Sequence, residues 1–358
     1  MGTNSFLNNK YNPMFYAAEG IQELEKALGM ASRVYMGYNN ERRSFGKGQA
    51  INITVPGSFT AQNAGTGSQD VNTQSVNITL SQHKEVQFEV LDTEITHGGM
   101  SMITDHIRPA MYALADNIDA YLMSLMNYIP WKIGAQAITS HLDITNPRKI
   151  LRDNKVMLDD GDIHMAVSAD MEAAFLGLNI FHQAQIVGAS TNQDVLLRGN
   201  LGTRFGVEVF ATQNAGVAHT SGTIVNGGDQ SGALNGAHAK AATTVVTDAF
   251  TSGQTVKIGD SFVIAGNTQR YVATADATVD GSKNLTVSVW PPLVQAYPDN
   301  AVVTFENGAT HHLDAYYGQL MFHRQAIALV VAPLPEIGNN IGAKVATVTD
   351  FLKIWWMI

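Results

Sequence analysis

Apolar residues recur at Met111, Leu114, Ile118, Leu122, Leu125 and Ile129, three or four positions apart, which places them on one face of an α-helix. The pattern predicts a helix from Pro109 to Ile129, about six turns, long for a globular protein. Thr104 or Asp105 is suited to cap its start, Pro109 to an early helical position, and Pro130 ends it. The opposite side carries Asp116, Asn117, Asp119 and Ser124 but also Tyr112, Ala120 and Met123, so it is only partly polar. Alone, the stretch fits the core helix of an α/β domain. A strut across a flat subunit is the alternative, and it needs support from the rest of the chain.

Upstream, residues 1–17 are polar with scattered aromatics and read as an extended arm, and Ile21, Leu24, Leu28 and Tyr35 suggest a short helix from about Gly20 to Tyr35. Arg42, Arg43 and Lys47 form the densest basic cluster, which reads as a solvated face. A hairpin follows. Ile51, Ile53 and Val55 alternate with Asn52 and Thr54, and Val76, Ile78, Leu80, Val86, Phe88 and Val90 keep one parity on the return. That return run covers about fifteen residues, long for a strand. The tip, Pro56 to Ser75, is rich in Gly, Gln, Asn, Ser and Thr and has little apolar material for a core of its own. A long two-stranded arm is marginal alone, so it is expected to lie on something else; a hairpin of an ordinary sheet with a long loop fits the same pattern.

Downstream of the long helix, Asn146 and Pro147 read as an N-cap and first helical residue of a helix running to Met157 or Leu158. Asp159-Asp160-Gly161-Asp162 makes a turn, Ile163 to Val167 a strand, and Ser168 or Asp170 caps a helix from Met171 to Leu176 that stops at Gly177. A glycine-rich bend from Leu196 to Gly206 leads to a strand from Val207 to Ala211. This alternation suits an α/β or α+β domain. Composition shifts near Ser221, and Gly, Ala, Asn and Thr dominate to Thr244. Short strands are then expected at Val256–Ile258, Ser261–Ile264, Tyr271–Ala273, Leu285–Val289 and Val302–Phe305, with turns at Gly259-Asp260, Gly266-Asn267, Asp280-Gly281 and Pro291-Pro292. They describe a small barrel-like or sandwich β insertion, because strand pattern of the host resumes at Leu320 to Val331.

Catalytic constellations do not emerge. Gly199-Asn-Leu-Gly-Thr-Arg-Phe-Gly lacks the Gly-Lys-Ser/Thr ending of a phosphate-cradling loop, and there is no Gly-x-Ser-x-Gly elbow. With no cysteine, thiol nucleophiles, disulfides and thiolate metal sites are all excluded. Of 11 histidines only His311 and His312 are adjacent. His312 and Asp314 share a strand face, but two ligands make a poor metal site. Asp159, Asp160 and Asp162 lack the spacing and distal Glu of a calcium loop and read as a solvated turn. No catalytic, cofactor-binding or metal residue is therefore assigned. The net charge of −9 argues against a dedicated nucleic-acid binder. The start, MGTNSFLNNKYN, shows no signal peptide, and no apolar run reaches transmembrane length; Ala326 to Ala332 is strand-sized and stops at Pro333. Charged residues make up 15% of the chain, against roughly 25% in typical soluble proteins. Such a surface tolerates close contact with other subunits. The apolar end, Lys353-Ile-Trp-Trp-Met-Ile, is expected to be covered in an assembled state. No lysine lies between Gly48 and His83, which argues against a lysine cross-link at the hairpin tip.

Several stretches, in order, resemble one family. Lys155-Val-Met-Leu-Asp-Asp-Gly-Asp-Ile-His-Met-Ala-Val-Ser with Met171-Glu-Ala-Ala-Phe-Leu resembles the turn, strand and capped helix of tailed-bacteriophage major capsid proteins. Gly202-Thr-Arg-Phe-Gly-Val-Glu-Val-Phe-Ala-Thr-Gln-Asn is similar to that family's glycine bend and strand, and Leu320-Met-Phe-His-Arg-Gln-Ala-Ile-Ala-Leu to its late strand. Gly253-Gln-Thr-Val-Lys-Ile-Gly-Asp-Ser-Phe-Val-Ile-Ala-Gly, Tyr271-Val-Ala-Thr-Ala-Asp and Val287-Ser-Val-Trp-Pro-Pro-Leu resemble the inserted β domain of short-tailed-phage coat proteins.

The resemblance implies an α+β fold of the tailed-phage and herpesvirus capsid type. It implies an N-terminal arm and short helix in residues 1–45, an E-loop in 46–91, a peripheral domain with its spine helix in 92–135, an axial domain in 136–241, an inserted β domain in 242–307, and a return to the axial and peripheral domains in 308–358. The C-terminus comes sooner than the resemblance leads one to expect. The implied function is a non-enzymatic subunit, in a virion capsid built in the host cytoplasm, that self-assembles as hexamers and pentamers into an icosahedral shell enclosing double-stranded DNA without specific binding. The implied partners are a scaffolding protein, since no long charged helical segment precedes residue 20, a portal protein and a decoration protein; no cofactor and no membrane are implied. A cellular nanocompartment shell of the same fold and a metal-dependent hydrolase at His312 and Asp314 are the alternatives. Deleting Thr244 to Phe305 is expected to leave a foldable host that assembles poorly.

Overall fold

The structure, a computed structural model, describes residues 29–37, 50–55, 74–79, 106–134, 140–182, 201–227, 230–306, 315–330, 347–349 and 355–357, with residues 61, 63, 64, 82, 84–86 and 199 between them. The chain divides into two units, one of residues 1–118 and 324–358 and the other of residues 119–323.

In the first unit, strands β1 (Ala50–Val55) and β2 (Gln74–Thr79) pair antiparallel. Ile51 stands opposite Ile78 and Ile53 opposite Val76, so the two alternating patterns meet in register. The return strand is six residues long, and residues 84–86 are not strand, so the long run expected to Val90 is not continuous. The N-terminal arm, the basic cluster at Arg42, Arg43 and Lys47 and most of the hairpin tip lie outside the described residues. Of the helix expected from Gly20 to Tyr35, residues 20–28 lie outside the described residues; in the rest, Ala31–Arg33 is a 3-10 turn and Val34 is extended. Tyr35 then bridges Ala328, with its N–H donating to the Ile327 carbonyl at 2.9 Å and its carbonyl accepting from Leu329 N–H at 2.9 Å. The strand pattern read to Val331 therefore breaks after His323 into a 3-10 turn, Arg324–Ala326, before this bridge. Near the C-terminus Thr347–Thr349 pairs antiparallel with Trp355–Met357.

The division between the units falls within the long helix, α1 (Arg108–Ser124), which continues as a 3-10 turn, Leu125–Tyr128. Its buried stripe is Ile107, Met111, Ala115, Asp119, Leu122 and Met126, with Ala110 and Met123 beside it. Relative to the expected face this stripe is rotated: Leu114, Ile118, Leu125 and Ile129 are half-buried, while Asp119 and Met123, assigned to the opposite side, are buried.

The second unit continues with α2 (Leu142–Asp153), β3 (Ile163–Val167), α3 (Ala169–Leu176), β4 (Thr203–Arg204), β5 (Val207–Ala211) and β6 (Val217–Thr220). Helix α2 starts earlier than expected, with Pro147 inside it rather than at its head. The start is held reciprocally: Ser140 Oγ accepts from Leu142 N–H at 3.2 Å while Asp143 Oδ2 accepts from Ser140 N–H at 3.1 Å. Strands β7 (Ser231–Leu234), β8 (Thr244–Asp248), β9 (Thr255–Val256), β10 (Ser261–Ile264), β11 (Arg270–Ala273), β12 (Ala277–Thr278), β13 (Leu285–Trp290), β14 (Val302–Phe305), β15 (Ala315–Gly318) and β16 (Leu320–His323) follow.

Strands β16, β3, β5 and β4 form one sheet in that order, with β3 antiparallel to β16 and parallel to β5. All five residues of β3 are buried, as a strand covered on both faces requires. Ile163, Met165, Val167, Val207 and Val209 pack with Ile144 of α2 and with Met171 and Phe175 of α3. Ser168 caps α3 by accepting from Met171 N–H at 3.4 Å, and Gln319 holds Ser168 by accepting from its N–H at 2.7 Å and donating to its hydroxyl at 2.9 Å.

The β insertion is a closed barrel in the order β10-β11-β13-β8-β7-β14. It reaches further upstream than residue 242, since β7 comes from Ser231–Leu234, and Ile224 and Val225 lie in its core. Strand β13 alternates strictly, with Leu285, Val287 and Val289 inside and Thr286, Ser288 and Trp290 outside. Phe250, Phe262 and Phe305 stack within it, and the buried Tyr271 and Tyr297 hydroxyls meet at 3.0 Å. Each such ring contributes about 1.5–3 kcal/mol through burial. The barrel strands lie in the chain between β6 and β15, and those two pair with each other, Ala315 opposite Thr220 and Gly318 opposite Val217. The chain therefore enters and leaves the barrel through a two-stranded stem.

Candidate functional site

Among the described residues of the second unit, charged and aromatic side chains converge where the barrel meets this stem. Tyr316 of β15 stands opposite His219 of β6, and their rings lie 4.7 Å apart. Above them is the barrel's Lys257–Asp260 turn. Asp260 is buried, and its Oδ2 accepts from Lys257 N–H at 2.8 Å and Gly222 N–H at 2.9 Å; its Oδ1 faces His219 Nε2 at 3.7 Å. Gly259 has a φ of +97°, which favours glycine, and a Cβ there would sit tightly, 3.3 Å from both His219 Cε1 and Lys132 Nζ.

Lys132 arrives from the segment after α1. Its ammonium donates to the Gly259 carbonyl and, at 2.8 Å, to the Tyr316 hydroxyl, and it lies 5.1 Å from the Tyr316 ring centre. Burial lowers its pKa to about 8, against the pull of the Asp260 and Glu306 carboxylates. Burial, then the Asp260 charge, raises that of Tyr316. Beside it Arg270 of β11 donates to the Lys132 carbonyl at 3.3 Å, lies 5.3 Å from the Trp131 ring centre and pairs with Glu306 at 2.9 Å. Glu306 also accepts from the Ser261 hydroxyl. On the exposed flank Lys257 pairs with Asp276 at 2.6 Å, and that hydrogen bond holds the Asp276 carboxyl below its usual range.

Chemically this arrangement holds two pieces of chain together. The Lys132 ammonium and Arg270 guanidinium are spent as donors on two carbonyls, a phenol and the Glu306 carboxylate. The sequence offered Gly259-Asp260 only as a turn, and Lys132, His219, Arg270, Glu306 and Tyr316 went unnoticed. Lys132 is 127 residues from Gly259 and 184 from Tyr316, so no local spacing pointed to them.

His312 and Asp314 lie outside the described residues. Of the turn acids, Asp160 accepts from His323 at 2.7 Å and from Asp162 N–H at 3.2 Å, and Arg152 approaches Asp159 at 3.6 Å. The His323 hydrogen bond lowers the Asp160 pKa. Among the described residues no group of three His, Cys, Asp or Glu could hold a metal ion, and no helix is long and apolar enough to cross a membrane. Exposed large apolar side chains include Tyr112 and Tyr121 on α1, Trp290 and Val302 on the barrel, and Val217 and Tyr317 on the stem, besides Leu142, Met157 and Phe205 elsewhere in the second unit.

No family model matches the sequence, and no curated protein matches it. Among solved structures the chain is similar to one of Mycobacterium phage Che8, at 15% identity over 78% of this chain and 87% of that one, with a TM-score of 0.43. It is similar to the capsid structure of the cyanophage P-SCSP1u, at 10% identity over 79% and 84%, with a TM-score of 0.35. It is also similar to the mature capsid of bacteriophage PhiM1, at 11% identity over 77% and 82%, with a TM-score of 0.32.

Proposed function

We propose that this chain is the major capsid subunit of a tailed bacteriophage, of the type with a β domain inserted in its host fold. One observation supports the reading above the others. Three of the stretches that carry the resemblance contain Ile163–Val167, Val207–Ala211 and Leu320–His323, and these fall as neighbouring strands in a single sheet.

In this reading residues 1–45 are an N-terminal arm and 46–91 an E-loop, of which β1 and β2 are the described part. Residues 92–135 carry the spine helix of a peripheral domain, 136–220 most of an axial domain, and the barrel, which takes in residues upstream of 242, is the inserted domain. Subunits associate as hexamers and pentamers, and arm and E-loop bury surface on their neighbours. Small interfaces repeated over a closed lattice give steep cooperativity. The exposed apolar side chains on α1, barrel and stem suit such contacts, and the low charge content suits a surface that is largely covered. The net negative charge suits a container that encloses double-stranded DNA without gripping it. A scaffolding protein, a portal protein and a decoration protein are the expected partners.

The test is electron microscopy of the purified protein, alone and after co-expression with the scaffolding protein of its source. Closed shells tens of nanometres across are the expected result. Compact monomers or small oligomers under every condition would overturn the reading.

A further inference from the structure

We infer that Lys132 is a latch that fixes the barrel's orientation on its stem, and that breaking it frees the barrel to swing as an intact body. Two observations carry this. The chain connects to the barrel through the paired strands β6 and β15, and a two-stranded ribbon is marginally stable and bends readily. The side chains that brace this ribbon against rotation come from elsewhere. Lys132 bonds simultaneously to the barrel, at the Gly259 carbonyl, and to the stem, at the Tyr316 hydroxyl. Arg270 ties the barrel back to the backbone of Lys132 and to the ring of Trp131. The cation is enclosed beside Asp260 and Glu306; removing it leaves the Gly259 carbonyl and the buried Asp260 carboxylate without that positive charge, while Glu306 keeps its pair with Arg270. The barrel's own aromatic core contains none of these groups, so it survives the release.

The chain has no cysteine, so two introduced thiols can be spin-labelled cleanly. Ser282→Cys on the barrel and Asp153→Cys at the end of α2 are both exposed positions within the second unit. Electron–electron distance measurement on the full chain should give one narrow distribution. Adding Lys132→Met should broaden it, and Tyr316→Phe, which removes one acceptor, should broaden it less. Hydrogen exchange on the same variants should be about tenfold faster at Lys257 and Gly259 and unchanged in β8 and β13.

An unaltered narrow distribution in both variants would overturn the latch. So would loss of protection in β8 and β13 together with the seam, which would make Lys132 a support of the barrel's fold. If Lys132→Met does not fold, Tyr316→Phe alone decides.

Discussion

Asp260 shows how much one side chain can settle. Its carboxylate is buried, accepts two backbone N–H bonds from separate segments, and supplies negative charge beside Lys132. Asp260→Asn keeps the shape and removes the charge. It should cost about 1.5–3 kcal/mol, the range for hydrogen bonds to a charged group, measured as a lower urea midpoint. Lys132 makes the pH dependence specific. Folded, it releases its proton near pH 8; unfolded, near 10.5. Below pH 8 both states are charged and the cost of enclosing the charge is felt in full. Between about 8 and 10.5 the folded state sheds its proton first, so stability from this group rises with pH. The raised Tyr316 phenol acts oppositely above its ordinary value of 10, where the unfolded chain ionises first. The difference in unfolding free energy between wild type and Lys132→Met should therefore grow from pH 8 to pH 10; a flat difference would refute this account. None of this was legible in the sequence, because the partners come from four distant stretches.

Among elements, legibility follows how much of the pattern is local. Strand β13 could be read directly, since Leu285, Val287 and Val289 alternate with polar neighbours and burial follows that alternation. Strands β3 and β5 and the Ser168 cap of α3 were also legible, β3 as a short run bounded by turn and cap residues and buried along its whole length. Strands β7 and β8 went unread, because Ser231–Leu234 holds a glycine and only one large apolar residue, and its place is set by pairing with β14 and β8. In α1 the period was right and the face was rotated. Leucine and isoleucine weigh most in a hydrophobic pattern, but Ala110 and Ala115 are buried because small residues permit close approach, and Asp119 is drawn inside with them. For α2, proline at position 147 suggested a first turn, but the Ser140 and Asp143 exchange of bonds sets the start upstream. The barrel elements stand or fall by their aromatic core. Phe262→Ala, which removes the ring between Phe305 and Tyr271, should destabilise the barrel by about 3–5 kcal/mol. Thermal unfolding should then show the barrel melting earlier.

At the scale of the molecule, the pairing of β6 with β15 corrects how the insertion is best removed. Deleting Thr244 to Phe305 would strand β7 without its partners. Thr220 and Ala315 face each other across the stem, so joining them with a two-residue Asn-Gly turn replaces the whole barrel by a hairpin. That variant should remain folded by circular dichroism and yield few correctly sized shells. Wild-type yields would show that the barrel is dispensable for assembly. By itself the sequence determined the α+β character, the long helix, the alternating strands, the absence of thiol chemistry and the presence of a β-rich segment within a host. These follow from periodicity and residue type, which act over a few neighbouring positions. Only the tertiary structure decided that the segment closes into a barrel, that it hangs on a two-stranded stem, which face of α1 is buried, and that Lys132, Asp260, Tyr316 and Arg270 meet. Those outcomes depend on contacts between residues tens to more than a hundred positions apart, where strand pairing and the desolvation of charge outweigh any local preference.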